Sequence, residues 1–334
     1  MDLVKKIREK AAANTRAIVL PEGTEQRTVA AAKEVLAENF ARPILLGDEA
    51  KIAELAEEAG LDMADLHVIN PEHSEQLHEF AGIYQNMRAQ RGKPVSDEEA
   101  LATLKNPLYY GAMMVKQGDA AGSLAGAVNS TGKVISAAAR IIGTKPGIKT
   151  ASSFFMMILN DPTFGHEGVL IYADCALIPN PDAETLADIA VTTAASARNI
   201  ITGFEPKVAM LSFSTKGSAD HELVEKVRQA TEIARQKAPD LQLDGELQAD
   251  AALIPAIGER KAPGSSVAGK ANILVFPNLD VGNIAYKLTE RLAGAMAFGP
   301  VMQGFAKPVN DLSRGCSAED IANMVAMTSV LADE

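Results

Sequence analysis

The chain has 334 residues, more than one hydrophobic core usually supports, so two domains of roughly 150 residues each are expected. Apolar residues make up 47% of the sequence, but none of their runs reaches the roughly 18 residues of a membrane span. With 43 acidic against 32 basic side chains, a net charge of −11 and no Lys/Arg block, nucleic acid is excluded as the main partner, although a local Arg cluster could still hold a small anion.

The stretch Met1 to Lys10 is charged and amphipathic, without the apolar core of a secretion signal. Beyond it, short runs rich in Val, Ile, Leu and Phe alternate with longer amphipathic segments, the pattern of an α/β protein built on largely parallel sheet. Strands are predicted at Arg16 to Leu20, Pro43 to Gly47, His67 to Asn70, Gly122 to Val128, Ser152 to Leu159 and Val169 to Cys175. Further strands are predicted at Lys207 to Phe213, Leu241 to Asp244, Asn272 to Phe276 and Val301 to Phe305. Helical periodicity covers Thr24 to Asn39, Pro181 to Asn199, Ala219 to Lys237 and Asn283 to Ala297.

The link from Asn160 to Gly168 is too short for a crossover helix, so the runs on either side of it read as an antiparallel hairpin. Gly143-Thr-Lys-Pro-Gly147 just before it marks a domain boundary. The segment from Pro308 reads as one turn plus one helix, too little to stand alone, and is expected to return to the first domain. Residues 1–145 with 299–334 then form one domain and 146–298 an inserted second, with ligands expected in a cleft between them and at the carboxyl ends of strands.

Two cysteines, Cys175 and Cys316, supply neither a disulfide framework nor a metal cluster, which fits a reducing cytoplasm. The five His residues lack metal-ligand spacing, and no metal is expected. Ser317 with Asp320 three residues on is a capping arrangement before the helical run Ile321 to Ala332. The same stretch serves equally as an anion site, since Ser313, Arg314 and Gly315 bring a hydroxyl, a guanidinium and backbone N–H groups to a helix start. Asn129-Ser-Thr-Gly132 and Ser212 to Ser218 repeat that strand-loop-helix setting, where hydroxyls and N–H groups suit phosphate but an N-cap is the commoner use. Cys316 at a helix start invites an acyl-thioester mechanism, against which stands the absence of a His nearby in sequence.

Lys307-Pro-Val-Asn-Asp-Leu-Ser-Arg-Gly-Cys-Ser-Ala-Glu-Asp320 resembles the C-terminal signature of phosphate acetyltransferases. Val208 to Ser218, Asp244 to Asp250, Lys261 to Lys270 and Gly282 to Lys287 match that family in order and spacing, and the similarity spans nearly the whole chain. It implies two Rossmann-like three-layer domains arranged as in isocitrate and isopropylmalate dehydrogenases, a homodimer, and acetyl transfer between acetyl phosphate and coenzyme A. Coenzyme A and phosphate are then substrates, and no cofactor is needed.

By position, the resemblance places a general base at Asp320, a thiol-orienting hydroxyl at Ser313 and an acyl-phosphate ligand at Arg314. Arg88 falls where the family holds coenzyme A phosphate; without the resemblance it reads as a solvated helix Arg. Asn129, Ser130, Thr131, Tyr286 and Lys287 are placed along the substrate pocket. One departure stands out: the family has a His near Asn129 and an Arg-Pro pair at Ser136-Ala137. Arg140, one turn beyond Ser136, is the candidate to restore that charge, ahead of Lys133. The rival readings are a phosphate butyryltransferase and a metal-dependent 2-hydroxy-acid dehydrogenase; against the second, no Gly-x-Gly-x-x-Gly follows a strand. A non-catalytic binding protein on this fold is a further reading. The Ala-rich run Leu186 to Ala197 serves either a subunit interface or a buried helix.

Overall fold

The computed structural model describes residues 3–332; residues 1, 2, 333 and 334, assigned above to the first domain, lie outside it. In chain order the elements are α1 (Leu3–Ala12), β1 (Ala17–Leu20), α2 (Gln26–Glu38), β2 (Arg42–Leu46), α3 (Glu49–Ala59), β3 (His67–Ile69), α4 (Leu77–Gln90), α5 (Asp97–Leu104), α6 (Pro107–Gln117), β4 (Gly122–Ala125) and α7 (Thr131–Ile141). They continue with β5 (Ser152–Ile158), β6 (Val169–Ala173), α8 (Ala183–Ile200), β7 (Lys207–Leu211), α9 (Glu222–Lys237), β8 (Gln242–Leu247), α10 (Ala249–Leu253), α11 (Pro255–Lys261), β9 (Ile273–Val275), α12 (Leu279–Ala293) and β10 (Met296–Gln303). The last two are β11 (Val309–Asp311) and α13 (Ala318–Leu331).

The chain divides into two compact units: one is Pro146–Gly304, the other the described residues up to Lys145 and from Phe305 onward. The expected boundary at 299 falls inside β10, whose pairing with β5 runs on to Gln303 opposite Ser152.

In the unit built from both chain ends, the sheet order is β11-β4-β1-β2-β3, every pair parallel. Strands leave β1 in one direction through β2 and β3 and in the other through β4 and β11. The order therefore reverses between β1 and β4, and a doubly wound sheet opens a crevice at the carboxyl ends of such a pair. Fully buried Ile18, Val19, Leu20 and Leu45 make these strands near-continuous apolar runs, as strands covered on both faces require. α13 packs on β1, β4 and β11 and against α1 and α2, while α6 packs on β1, β4 and α7.

The Pro146–Gly304 unit has a six-stranded sheet in the order β10-β5-β6-β9-β7-β8. β6, β9, β7 and β8 run parallel; β5 is antiparallel to both β6 and β10, so the predicted hairpin is present. α8 carries buried Leu186, Ile189, Ala190, Thr193, Ala194 and Ala197 and packs on α9 and several strands. Its small residues thus serve core packing.

Three differences from the sequence reading have local causes. The apolar run predicted as a strand to Val128 leaves the sheet after Ala125, because Gly126 adopts φ +121 and the following amides turn to a side chain. The helix expected to reach Ala297 ends at Gly294 in the left-handed conformation, and β10 begins at Met296. The closing segment is a strand, a turn and a helix: Val309, Asn310 and Asp311 pair with β4 although two of the three are polar.

Within α12, Gly282 lies so close to the β6 loop that a Cβ would stand 2.3 Å from the Asp174 carbonyl oxygen. Gly282→Ala is expected to lower stability by about 1–3 kcal/mol through overpacking, although Ala is favoured in a helix by roughly 1 kcal/mol. A lower urea midpoint checks it; a higher one would show that helix propensity wins.

Candidate active site

The carboxyl ends of β1, β4 and β11 carry three loops, and two side chains from the first loop hold the other two. Glu22, just after β1, is buried at 6% exposure. Its Oε2 accepts from the Gly126 and Ala127 amides at 2.9 and 2.8 Å; its Oε1 accepts from the Val128 and Asn129 amides at 3.2 and 2.7 Å and from Asn129 Nδ2 at 2.9 Å. Consecutive N–H groups bent around one carboxylate form an anion nest, and charge assistance makes each bond stronger than a neutral one. Of the Asn129–Gly132 groups expected to suit a phosphate, the Asn129 amide and side chain already serve Glu22, as do the amides of residues 126–128.

Arg27, at the start of α2, ties the second loop to the third. Its Nη1 donates to the carbonyls of Arg314 and Cys316 at 2.9 and 2.8 Å, its Nη2 to Ala127 O at 3.0 Å, and its Nε to Glu25 at 2.7 Å. Rigid bidentate geometry suits Arg to such multiple tethers. The Glu25 partner raises the guanidinium pKa further, so the charge is permanent.

Beyond these tethers lie the residues singled out by sequence. Ser130 is the N-cap of α7 and makes no side-chain cap bond, so its exposed hydroxyl is uncommitted. Thr131 Oγ1 donates to Asp311 Oδ2 at 2.6 Å. Ser313 and Arg314 are exposed, and Ser313 Oγ accepts from the Gly315 amide at 3.3 Å. Asp320 and Ser317 make a full capping box: the Asp320 amide donates to Ser317 Oγ at 3.1 Å, while Asp320 Oδ2 accepts from the Ser317 amide and hydroxyl at 2.8 and 2.9 Å. The cap that the sequence left as one of two readings exists, and Asp320 remains exposed with Oδ1 outside it.

Cys316 is buried, and burial pushes its thiol up in pKa more than Arg27 draws it down. A high thiol pKa works against the acyl-thioester mechanism.

Asp311 is the residue that sequence reasoning missed. It is 2% exposed; its Oδ1 has no hydrogen-bond partner, since the neighbouring Leu312 amide donates to Ala125 O. Burial pushes the carboxyl up to about 6, opposed by Thr131 and by the nearby Leu312 amide and helped by the charge of Glu22. Glu22 and Arg27 were missed as well; the signal was their place in the strand-to-helix passage Pro21 to Arg27, which contains no motif.

The other candidates lie on α4, on α12 and at the far end of α7. Arg140 is exposed at the far end of α7, about 15 Å from Ser130 along the axis at 1.5 Å per residue. Its guanidinium lies 6.0 Å from the Tyr109 ring centroid, and its carbonyl accepts from Arg91 at 2.7 Å. Arg88, on α4, is half-buried with Nε unpartnered. Tyr286 and Lys287 belong to the Pro146–Gly304 unit, where the Tyr286 ring stacks on Phe155 at 4.2 Å and Lys287 is exposed.

The remaining motif blocks of that unit bond to one another. Asp244 accepts from Lys216, from Arg235 at 2.7 Å and from Ser265 at 2.5 Å; Glu246 accepts from Ser214 and the Gly217 amide at 2.9 Å each and from Arg228 at 3.2 Å. Burial alone would raise the Asp244 carboxyl, but Lys216 and Ser265 bring it below the usual range. Among the described residues, no group of three or more His, Cys, Asp or Glu is placed to hold a metal ion, and no helix is long and apolar enough to cross a membrane.

Three known proteins and one family model place this arrangement. The model described as "Phosphate acetyl/butaryl transferase" matches residues 2–329. A phosphate acetyltransferase from Thermoanaerobacterium thermosaccharolyticum is 50% identical over 332 residues, covering 99% of this chain and 100% of its own. A phosphotransacetylase from Streptococcus pyogenes superposes with a TM-score of 0.93 at 42% identity, and one from Staphylococcus aureus with 0.91 at 44%; each alignment covers 99% of this chain and 98% of the other.

Asp311→Asn is expected to stabilise the protein near pH 7.5 by up to about 3 kcal/mol, from a carboxyl raised from 3.8 to about 6. As pH climbs, the unfolded chain loses this proton first, so the native state forfeits stability between about pH 4 and 6 and stays penalised above. The gain should vanish near pH 4. Urea titrations of both proteins at the two pH values test it.

Proposed function

The chain belongs to the phosphate acetyl/butaryl transferase family, and on that footing we propose that it moves an acetyl group reversibly between acetyl phosphate and coenzyme A. The observation that carries the assignment of residues is the meeting of the Asn129–Thr131 and Ser313–Asp320 segments at the carboxyl ends of β4 and β11, held together by Arg27.

In this reading the acetyl phosphate sits beside Ser130, Thr131 and Arg314, with the guanidinium and the start of α7 facing its phosphoryl oxygens. Ser313 orients the coenzyme thiol, and Asp320 takes its proton. The sulfur forms a bond to the acetyl carbon, the carbon–oxygen bond to phosphorus breaks, and phosphate departs with that electron pair. Donors fixed before the charge develops supply most of the acceleration. Arg88, with its unpartnered Nε, offers a charge for the coenzyme's phosphates. Arg140 extends the substrate surface on the same unit, and the Pro146–Gly304 unit carries Tyr286 and Lys287 as further substrate contacts.

Asp320 is exposed and its cap uses Oδ2 alone, which supports its part, because a proton taken by Oδ1 need not displace the cap. Asp320→Asn is expected to lower turnover by about 10²- to 10⁴-fold with little change in stability, since an amide oxygen at this third helical position still accepts from the Ser317 amide. A thioester-formation assay with acetyl phosphate and coenzyme A checks both function and role. Near-wild-type turnover in the variant would refute the base, and faster reaction with butyryl phosphate would refute the acetyl preference.

The active form is taken to be a homodimer in the cytoplasm. Two buried, unbonded cysteines fit a reducing compartment. Val281, Ile284, Leu288 and Leu292 form an exposed apolar stripe along α12, continued by Met296 on β10. A stripe of that extent favours a covered face. Sedimentation of the double variant Ile284→Glu with Leu288→Glu should give the mass of one chain; an unchanged dimer would show that contact is made elsewhere.

A further inference from the structure

Glu22 and Asp311 bracket Gly126 at the crevice between β1 and β4. Glu22 takes the Gly126 amide, and Asp311 Oδ1 lies against the Gly126 Cα, so close that a Cβ there would stand 2.5 Å from it. The two carboxyls differ in supply: Glu22 collects five N–H bonds, Asp311 a single hydroxyl. A buried carboxyl with one partner and an empty oxygen favours its protonated form. Glu22 is the charged group bearing on it. Around it, α7 presents Thr131, β4 presents the Gly126 backbone, and α13 turns Thr328 to Asn310.

Resting on the acetyl-phosphate reading of this site, we propose that Asp311 is a proton-switched positioning residue that sets which way the Thr131 hydroxyl points. With its proton on, Asp311 donates to Thr131 Oγ1, and the Thr131 O–H is free to donate to a phosphoryl oxygen of the substrate at the start of α7. With its proton off, Asp311 accepts that hydrogen itself, and Thr131 turns a lone pair toward the substrate. An anion is bound better in the first state. The carboxyl pushed up to about 6 puts the exchange within a working pH range.

The test follows kcat/KM for acetyl phosphate from pH 5 to 8 in wild type and Asp311→Asn, taken as a ratio so that substrate ionisation cancels. The ratio should fall about fivefold as pH rises through 6, the size of one ordinary hydrogen bond. Thr131→Val should flatten the response and Thr131→Ser should keep it. The second readout needs no turnover: the Asp311 carboxyl, labelled with ¹³C and assigned by its loss in Asp311→Asn, is titrated with and without inorganic phosphate. Reciprocal linkage requires saturating phosphate to raise its midpoint by roughly 0.7 pH unit for a fivefold preference. A midpoint that phosphate leaves in place, or a flat ratio in an active enzyme, overturns the proposal. Absence of thioester formation in wild type would overturn the acetyl-transfer reading, and the carboxyl titration would still decide the role of Asp311.

Discussion

One buried carboxylate organises the crevice. Glu22 sits where a doubly wound sheet reverses its order, the place such folds give to a ligand. By filling the nest of amides 126–129 it supplies an internal anion, so the loop keeps its bent form with no ligand present. On the proposed reading, substrate groups are met further out, by the Ser130 and Thr131 hydroxyls and by Arg314. Arg27 completes the constraint by tethering carbonyls of both neighbouring loops, so the positions of Ser313 and Arg314 follow from a residue that precedes them by nearly the whole chain.

Electrostatics in the crevice depends more on donors than on depth. Glu22 and Asp311 are both nearly inaccessible, yet one is surrounded by N–H groups and the other has a hydroxyl and an empty oxygen. Cys316 is the opposite case: there burial outweighs the nearby guanidinium and raises the thiol. Helix position alone would have predicted a reactive sulfur there.

Much of the fold was legible in the sequence because its strands are covered on both faces and read as apolar runs, and because the hairpin link is short. β11 was not legible: Asn310 and Asp311 carry no strand signal, and their side chains bond to Thr328 and Thr131 on neighbouring helices. Around the crevice, Ser130, Thr131, Ser313, Arg314 and Asp320 were singled out through the resemblance and through strand-to-helix punctuation, and the structure places them on the loops after β4 and β11 and the helix starts that follow. Glu22 and Arg27 were not, since their work is defined by loops distant in sequence. The Asn129 side chain, read as a substrate contact, is bonded to Glu22. The bonds within Asp244 to Asp250, Ser214 to Ser218 and Ser265 show that a family motif can record internal architecture as readily as chemistry.

The interruption of one sheet by the Pro146–Gly304 unit also has a consequence for biosynthesis. β4 and its loop emerge from the ribosome long before β11, and until the segment from Phe305 follows, β4 is an open sheet edge with no Arg314 or Cys316 carbonyl for Arg27 to hold. Open edges are where nascent chains mispair, and domains form in the order they are made. The crevice can therefore be assembled only after the Pro146–Gly304 unit has been made, when β11 and α13 close over the sheet laid down first.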